Sequence, residues 1–264
     1  MCATCGCDSD KTVTLLKPGT NETENHHHHH EHTHDHHHDH EHFKTDPREL
    51  ILERDVLMKN DLMAERNRGY FEAKNIMTFN LVSSPGSGKT TILEKTILKL
   101  SKDFTLAVIE GDQQSSNDAE RISATGIEVI QINTGKGCHL DSEMVNRALK
   151  KLNPSNNSIL FIENVGNLVC PALFDLGEGK RVVIISTTEG EDKPLKYPFM
   201  FESSEICIIN KTDLLPYLDF DMEKLKDNAK RINPDLTFFE LSATKGDGMD
   251  EWCHWLKDSM LVSD

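Results

Sequence analysis

The sequence predicts an α/β fold: a mostly parallel sheet with helices on both faces. Three observations carry this expectation. Past residue 76, short apolar runs alternate with stretches of helical period, the pattern of strands joined by crossover helices. The first of those runs, Phe79-Asn80-Leu81-Val82, leads straight into the small-residue loop Ser83-Ser84-Pro85-Gly86-Ser87-Gly88, with a helix-forming stretch behind it. Ahead of both, Asp46-Pro47-Arg48-Glu49 has Asp at an N-cap, Pro at the first helical position and Glu at the third.

Taken in order, residues 1–45 come first and do not read as folded. They hold almost no apolar side chains, so burial cannot offset the chain entropy. A helix then starts at Asp46, with Leu50, Val56, Leu57, Leu62 and Met63 as its apolar stripe, and runs to about Ala73. Strands are expected at 78–83, 105–110, 128–132, 158–163, 181–187, 205–210 and 237–242. Helices are expected at 90–100, 141–152, 222–232 and 249–261. The division is therefore a disordered N-terminal segment, 1–45, and one nucleotide-binding domain with its leading helix, 46–264. A chain of 264 residues can bury one full-sized core. In such a sheet ligands collect at the carboxyl ends of the strands, so the loops that follow strands are where chemistry is sought.

Composition narrows the partners. A net charge of −15 argues against a nucleic-acid or anionic-membrane surface. No apolar stretch approaches the ~20 residues that span a bilayer. The start, Met-Cys-Ala-Thr-Cys-Gly-Cys, is unlike a secretory leader. With a nucleotide site present, seven cysteines read as thiols or metal ligands in a reducing cytoplasm.

Residues 83–90 form a phosphate-binding loop. Small residues let backbone N–H groups approach phosphate oxygens, and the following helix turns its positive end toward them. Gly86, Ser87, Gly88, Lys89, Thr90 and Thr91 are the candidate contacts. Lys89 reaches the β- and γ-phosphates, and the Thr90 hydroxyl suits Mg²⁺. Ser83 stands where the usual pattern opens with Gly. Asp112, one step past the apolar strand 105–110, is a second Mg²⁺ ligand, direct or through water, and joins Lys89 and Thr90 as a catalytic candidate.

The base is read by Asn210-Lys211-Thr212-Asp213, again behind an apolar strand. The Asp213 carboxylate only accepts. Guanine offers it two adjacent donors, whereas adenine would leave it unpaired. Ser242-Ala243-Thr244 supplies a backbone donor toward guanine O6. Glu163-Asn164-Val165-Gly166 occupies the place of an Asp-x-x-Gly switch, with the Gly166 N–H sensing the γ-phosphate. Glu163 replaces the Asp, which leaves its contact with metal open, and Asn167 stands where a Gln would orient water. Slow GTP hydrolysis, suited to a switch, follows from that substitution.

Three groups of metal ligands remain. Cys2, Cys5 and Cys7 place three thiolates within six residues, close enough to share one Ni²⁺ or Zn²⁺. Residues 26–42 interleave twelve His with four acidic residues and read as a multi-ion buffer. Cys138, His139 and Cys170 lie on loops at the phosphate edge. From the residues alone they read equally as a metal set at a surface or dimer seam, or as a buried thiol beside an incidental imidazole. Cys207 and Cys253 read as core.

This combination resembles the HypB family of hydrogenase nickel-incorporation GTPases, over most of the chain. The resemblance rests on the Cys2–Cys7 tip, on Ala64-Glu65-Arg66-Asn67-Arg68, and on the segments 81–91, 110–114, 133–141, 161–171 and 189–198. It also takes in Gly246-Asp247-Gly248-Met249. Ser83 agrees with that family. The resemblance implies a P-loop GTPase domain of the SIMIBI type, a tight nickel site at Cys2, Cys5 and Cys7, and a second site for Ni²⁺ or Zn²⁺ at Cys138, His139 and Cys170. It further implies a homodimer formed on GTP binding, a HypA-type nickel/zinc partner and delivery of Ni²⁺ to the hydrogenase large subunit. The alternatives are a urease-type nickel GTPase, against which the Cys tip argues, and a passive nickel store.

Overall fold

The computed structural model describes residues 14–18, 47–113 and 115–261. The cysteine tip, the His-rich tract and the Asp46 cap lie outside them. In chain order the elements are β1 (Thr14–Leu16), α1 (Pro47–Ala73), β2 (Ile76–Ser83), α2 (Lys89–Leu100), β3 (Thr105–Asp112), α3 (Asn117–Ser123), β4 (Glu128–Asn133) and α4 (Ser142–Leu152). There follow β5 (Ser158–Glu163), β6 (Lys180–Ser186), α5 (Lys193–Lys196), α6 (Pro198–Glu202), β7 (Ile206–Asn210), α7 (Met222–Ile232), β8 (Thr237–Glu240) and α8 (Met249–Leu261). Single 3₁₀ turns occupy Cys170–Leu173 and Thr212–Tyr217.

One eight-stranded sheet runs β1-β4-β3-β5-β2-β6-β7-β8, parallel throughout except for β1. Its central strands are apolar on both faces because both are covered. On one face, Phe79, Leu81, Phe161 and Val108 pack under Ile92, Ile97, Ile122 and Trp252 of α2, α3 and α8. On the other, Ile109, Ile130 and Leu160 meet Phe71 of α1 and Val145 and Leu149 of α4. Val82, Val183 and Ile209 meet Met200, Phe201 and Leu225 of α6 and α7. Cys207 and Cys253 are buried in this core, as their surroundings in the sequence suggest. Asp141 caps α4 by accepting from Met144 N at 2.7 Å.

Two departures from expectation bear on function. Inside the segment read as unfolded, Thr14–Leu16 pairs antiparallel with β4, Thr14 opposite Asn133 and Leu16 opposite Gln131. Leu15 packs against the α1/α4 cluster, and Lys151 Nζ donates to its carbonyl at 3.3 Å. Three residues are too short for a periodic signal; what orders them is the open edge of β4. The second departure is α1, whose polar side is as structural as its apolar side. The Asn67 amide, fully buried, donates to the carbonyls of Ser142 (2.9 Å) and Leu176 (3.0 Å). Arg68 grips Asp175 at 2.6 Å and the Glu178 carbonyl at 3.1 Å, while Asn60 accepts from Ser142 N. These bonds clamp α1 onto the start of α4 and onto the segment that leads into β6.

Candidate functional site

The β2–α2 turn frames a cleft of about 430 Å³ lined by residues 83–91, 110–113, Glu163 and Gly166. Gly86 and Gly88 take positive φ (75° and 95°), which turns the backbone around the cleft before α2 begins. The cleft floor is acidic. Lys89 Nζ lies 3.2 Å from Glu163 Oε1, and Thr90 Oγ1 donates to the same oxygen at 2.6 Å. Glu163 therefore lines the cleft beside Lys89 and Thr90. Register pairs it with Glu110 across β3 and β5. Burial, then Glu163 and Asp112, push the Glu110 carboxyl up to about 9. Glu110 Oε2, Glu163 Oε2 and Ser87 Oγ are buried without a protein partner. Burial alone would raise Asp112 as well. Hydrogen bonds from the Ser115 hydroxyl and from the Gln113 and Ser115 N–H groups, with Lys89 nearby, hold it low instead. Thr91 accepts from Arg121 at 3.2 Å on the rim.

The segment Asn210–Asp213 is bolted to this loop. Asn210 Nδ2 donates to the Ser87 carbonyl at 2.8 Å, and Lys211 Nζ to the Gly86 carbonyl at 2.7 Å. Asp213 Oδ1 accepts from the Ser242 hydroxyl at 2.6 Å. Ala243 N donates to Asn210 Oδ1 at 3.1 Å, so its N–H ties the loop after β8 to the end of β7.

Cys138, His139 and Cys170 come together with their ligand atoms within 4.8 Å of one another. The neighbouring Cys138 Sγ and His139 Nδ1 are 3.8 Å apart, so adjacent residues turn their ligand atoms to one place. His139 is buried and stacked on Phe174 at 4.0 Å, Cys170 is buried, and Cys138 reaches partway to the surface. The tight turn after β4 makes this possible: Gly137 N bonds the Thr134 carbonyl at 2.9 Å, and Thr134 Oγ1 bonds the Gly137 carbonyl at 2.7 Å.

Direct bonds join the Cys138–His139–Cys170 cluster to the cleft beside the β2–α2 turn. Asn164, next to Glu163 and fully buried, accepts at Oδ1 from Leu140 N (3.1 Å) and Val165 N (2.9 Å). Gln113, next to Asp112, donates to the Gly137 carbonyl at 3.2 Å. Asn167 does not line the cleft; its Nδ2 donates to the Cys138 carbonyl at 3.4 Å. Gly166 lies against Pro85, with room for a Cβ only at 3.2 Å from Pro85 Cα.

Comparison with known proteins decides the family. The family model for the CobW/HypB/UreG nucleotide-binding domain matches residues 77–240. The chain is 57% identical over 210 residues to hydrogenase maturation factor HypB of Escherichia coli strain K12, covering 80% of this chain and 72% of that one. The chain belongs to the HypB hydrogenase maturation factors. A probable HypB of Methanocaldococcus jannaschii is 41% identical over 211 residues, with 80% and 96% coverage. The crystal structure of Helicobacter pylori HypB in complex with nickel superposes at a TM-score of 0.72 and 36% identity, over 77% of this chain and 96% of that one.

Within this HypB fold, several functional positions escaped the sequence reading. Glu110 looked like an ordinary strand residue; only register reveals its carboxylate neighbour. Lys193, ion-paired with Glu189 at 3.3 Å, brings Nζ within 3.4 Å of Ser84 Oγ at the phosphate loop. Asn164 was read only as a spacer. The polar run 65–68 carries part of the HypB resemblance, and only the fold shows Asn67 and Arg68 clamping the segments around Ser142 and Asp175–Glu178. Among the described residues no helix is long and apolar enough to cross a membrane.

Proposed function

We propose that this HypB is a GTP-hydrolysing nickel metallochaperone. It takes up Ni²⁺ at Cys138, His139 and Cys170 and at Cys2, Cys5 and Cys7, and delivers it to the hydrogenase large subunit. The observation that carries the reading is the cluster of two thiols and an imidazole within 4.8 Å, hydrogen-bonded through Asn164 and Gln113 to the loops around the phosphates. Two thiolates and one imidazole suit Ni²⁺ or Zn²⁺ and leave a position open for an incoming ligand, as a delivery site needs. A HypA-type partner and a GTP-dependent dimer fit a site whose Cys138 edge is accessible.

The floor of the phosphate cleft fits a hard divalent cation. Thr90 Oγ1, Asp112 and Glu163 offer oxygen ligands, and buried oxygens of Glu110 and Glu163 without hydrogen-bond partners lie beside them. Mg²⁺ bound there with GTP would neutralise phosphate charge. Lys89 and the N-terminal turn of α2 hold the phosphates, Asp213 selects guanine, and Gly166 offers its N–H at the Pro85 side of the loop. Asn167, engaged with the metal loop, leaves the attacking water without a side-chain amide to orient it, which supports slow turnover.

Nucleotide state alters the loops at Asp112 and Glu163–Gly166, and these hold the backbone of Cys138–Leu140. Linkage makes the effect reciprocal: metal in the pocket must alter nucleotide affinity. The test measures Ni²⁺ affinity of the pocket with GDP and with a non-hydrolysable GTP analogue, in a chain whose Cys2, Cys5 and Cys7 are Ala. At least a fivefold difference is expected, about 1 kcal/mol of coupling. Equal affinities, together with GTP turnover indifferent to Ni²⁺, would overturn the reading.

A further inference from the structure

Building on the metal-binding reading above, we infer that Glu178 and Arg181 are positioning residues of the Cys138–His139–Cys170 pocket. One carboxylate oxygen of Glu178 joins the loop behind Cys138 and His139 to the turn that opens at Cys170. Both side chains are buried, and they pair with each other at 2.8 Å. An ion pair this deep is weak evidence of stability, because desolvating the two charges offsets most of their attraction. Its place in the fold calls for another reason, and the hydrogen bonds around it supply one.

Glu178 Oε1 is the hub. It accepts from Asn80 Nδ2 at 2.9 Å on one side, and from Arg181 Nε (3.0 Å) and Nη2 (2.8 Å) on the other. Oε2 takes a further donor, Leu176 N, at 2.7 Å. A site that only donates suits a carboxylate alone, since an amide or a protonated acid would turn an N–H or O–H of its own toward it. Burial alone would raise this carboxyl. Arg181 and the Asn80 amide hold it below the ordinary glutamate value instead, so the charge persists.

Two arms leave the hub. Along the first, Asn80 has its amide nitrogen on Glu178, so its Oδ1 faces Asn164 and accepts from Nδ2 at 3.3 Å. That turns Asn164 Oδ1 toward the Leu140 N–H, one residue past His139. Along the second, Arg181 spends every N–H of its guanidinium. Besides its bonds to Glu178, Nη1 reaches the Ala172 carbonyl (3.2 Å) and Ser203 Oγ (2.9 Å), and Nη2 the Phe174 carbonyl (3.0 Å). Those carbonyls flank Leu173, the last residue of the 3₁₀ turn that Cys170 opens. The Phe174 ring is the one stacked on His139. Both arms therefore end beside metal ligands, and a shift at Glu178 would move the Cys138–His139 loop relative to Cys170.

The experiment takes the full chain with Cys2, Cys5 and Cys7 changed to Ala as its parent. In the metal-free protein it follows hydrogen exchange of the Leu140 N–H and the labelling rate of the Cys170 thiol; Ni²⁺ affinity is measured beside them. Glu178→Gln should speed exchange and labelling at least about fivefold and weaken Ni²⁺ binding about ten- to a hundredfold. Asn80→Ser keeps both charges and stands in should Glu178→Gln not fold. It cuts the first arm, so it should speed Leu140 exchange, spare Cys170 labelling and weaken Ni²⁺ binding. Arg181→Lys keeps the charge but loses the fork, so it should speed Cys170 labelling by less than Arg181→Gln does. Leu256→Ala, in the core under α8, should lower the melting temperature and leave all three readouts within about twofold. Parental values in Glu178→Gln and Asn80→Ser, or an equal response in Leu256→Ala, would overturn the inference. Faster exchange and labelling with Ni²⁺ affinity untouched would overturn it too. A parent that binds no Ni²⁺ while the metal-free readouts respond would instead overturn the metal-binding reading and leave the hub in place.

Discussion

Replacing Asn164 with Ala severs the bond between the two halves of the site at one side chain. In the native fold Asn164 Oδ1 accepts from two buried N–H groups, those of Leu140 and Val165, while Nδ2 donates to Asn80 Oδ1 at 3.3 Å. Asn164→Ala leaves all three groups without that partner in a region closed to solvent. Each unsatisfied buried group costs about 1–3 kcal/mol, offset in part by water entering the vacated space, so the expected destabilisation is about 3 kcal/mol. For a domain of this size that lowers the melting temperature by about 6–12 °C. Leu140 directly follows His139, so the loss also frees the metal loop; removal of such an outer support typically weakens metal binding ~10–100-fold. Thermal melts give the first number. Ni²⁺ titration in the background lacking Cys2, Cys5 and Cys7 gives the second, with GDP and with the GTP analogue. If Asn164→Ala melted within about 1 °C of the parent and bound Ni²⁺ equally well, the claim that this amide joins the sites would be wrong.

Three further outcomes are expected. Glu110 is held protonated in the fold, up to about 9, while in the unfolded chain it ionises near the ordinary carboxyl value of 4.5. The unfolded state therefore releases this proton first, and stability falls as pH rises from about 4.5 to 9. In the metal-free, nucleotide-free protein the loss between pH 6 and 8 is up to about 2.7 kcal/mol. Glu110→Gln should flatten that slope in thermal melts, and an unchanged slope would place the titrating group elsewhere. Asp213→Asn presents one acceptor and one donor to the base; GTP affinity should drop about a hundredfold while xanthosine triphosphate gains, read by competition binding. Retained GTP preference would refute the role of Asp213. Gly88→Ala adds a Cβ against Asn210 Nδ2 at a φ of 95°. It should weaken GTP binding at least tenfold by displacing the Asn210–Ser87 bond; near-normal affinity would show that this contact is dispensable.

How much of this could be read from residues alone depended on whether the information was local. The phosphate loop and Asn210–Asp213 were legible because spacing along one segment sets their geometry, and the sheet alternation placed them at one edge. The metal ligands were legible by type but not by arrangement. That Cys138 and His139 share one pocket depends on the Thr134–Gly137 turn, and the approach of Cys170 depends on a 3₁₀ turn behind β5. Glu110 was invisible because its meaning lies in burial and register: a carboxylate on one strand becomes a proton trap when the sheet buries it and sets Glu163 beside it on the next. Asn67 and Arg68 lie on the polar face of a helix, where solvent exposure is the usual fate. Here the loops they clamp bring backbone carbonyls to them.

β1 has a consequence for the sheet itself. Without its three residues, the outer row of N–H and C=O groups of β4 would lie open along Gln131–Asn133, at the border of a nearly all-parallel sheet of apolar strands. Such a border is a template for another chain to add to. Trimming the N-terminus to remove the cysteines and histidines would, if the cut fell after Leu16, also unseal this border. Shortened forms should then self-associate through sheet edges whatever metal they hold, so comparisons that start at residue 47 would mix lost metal binding with gained stickiness.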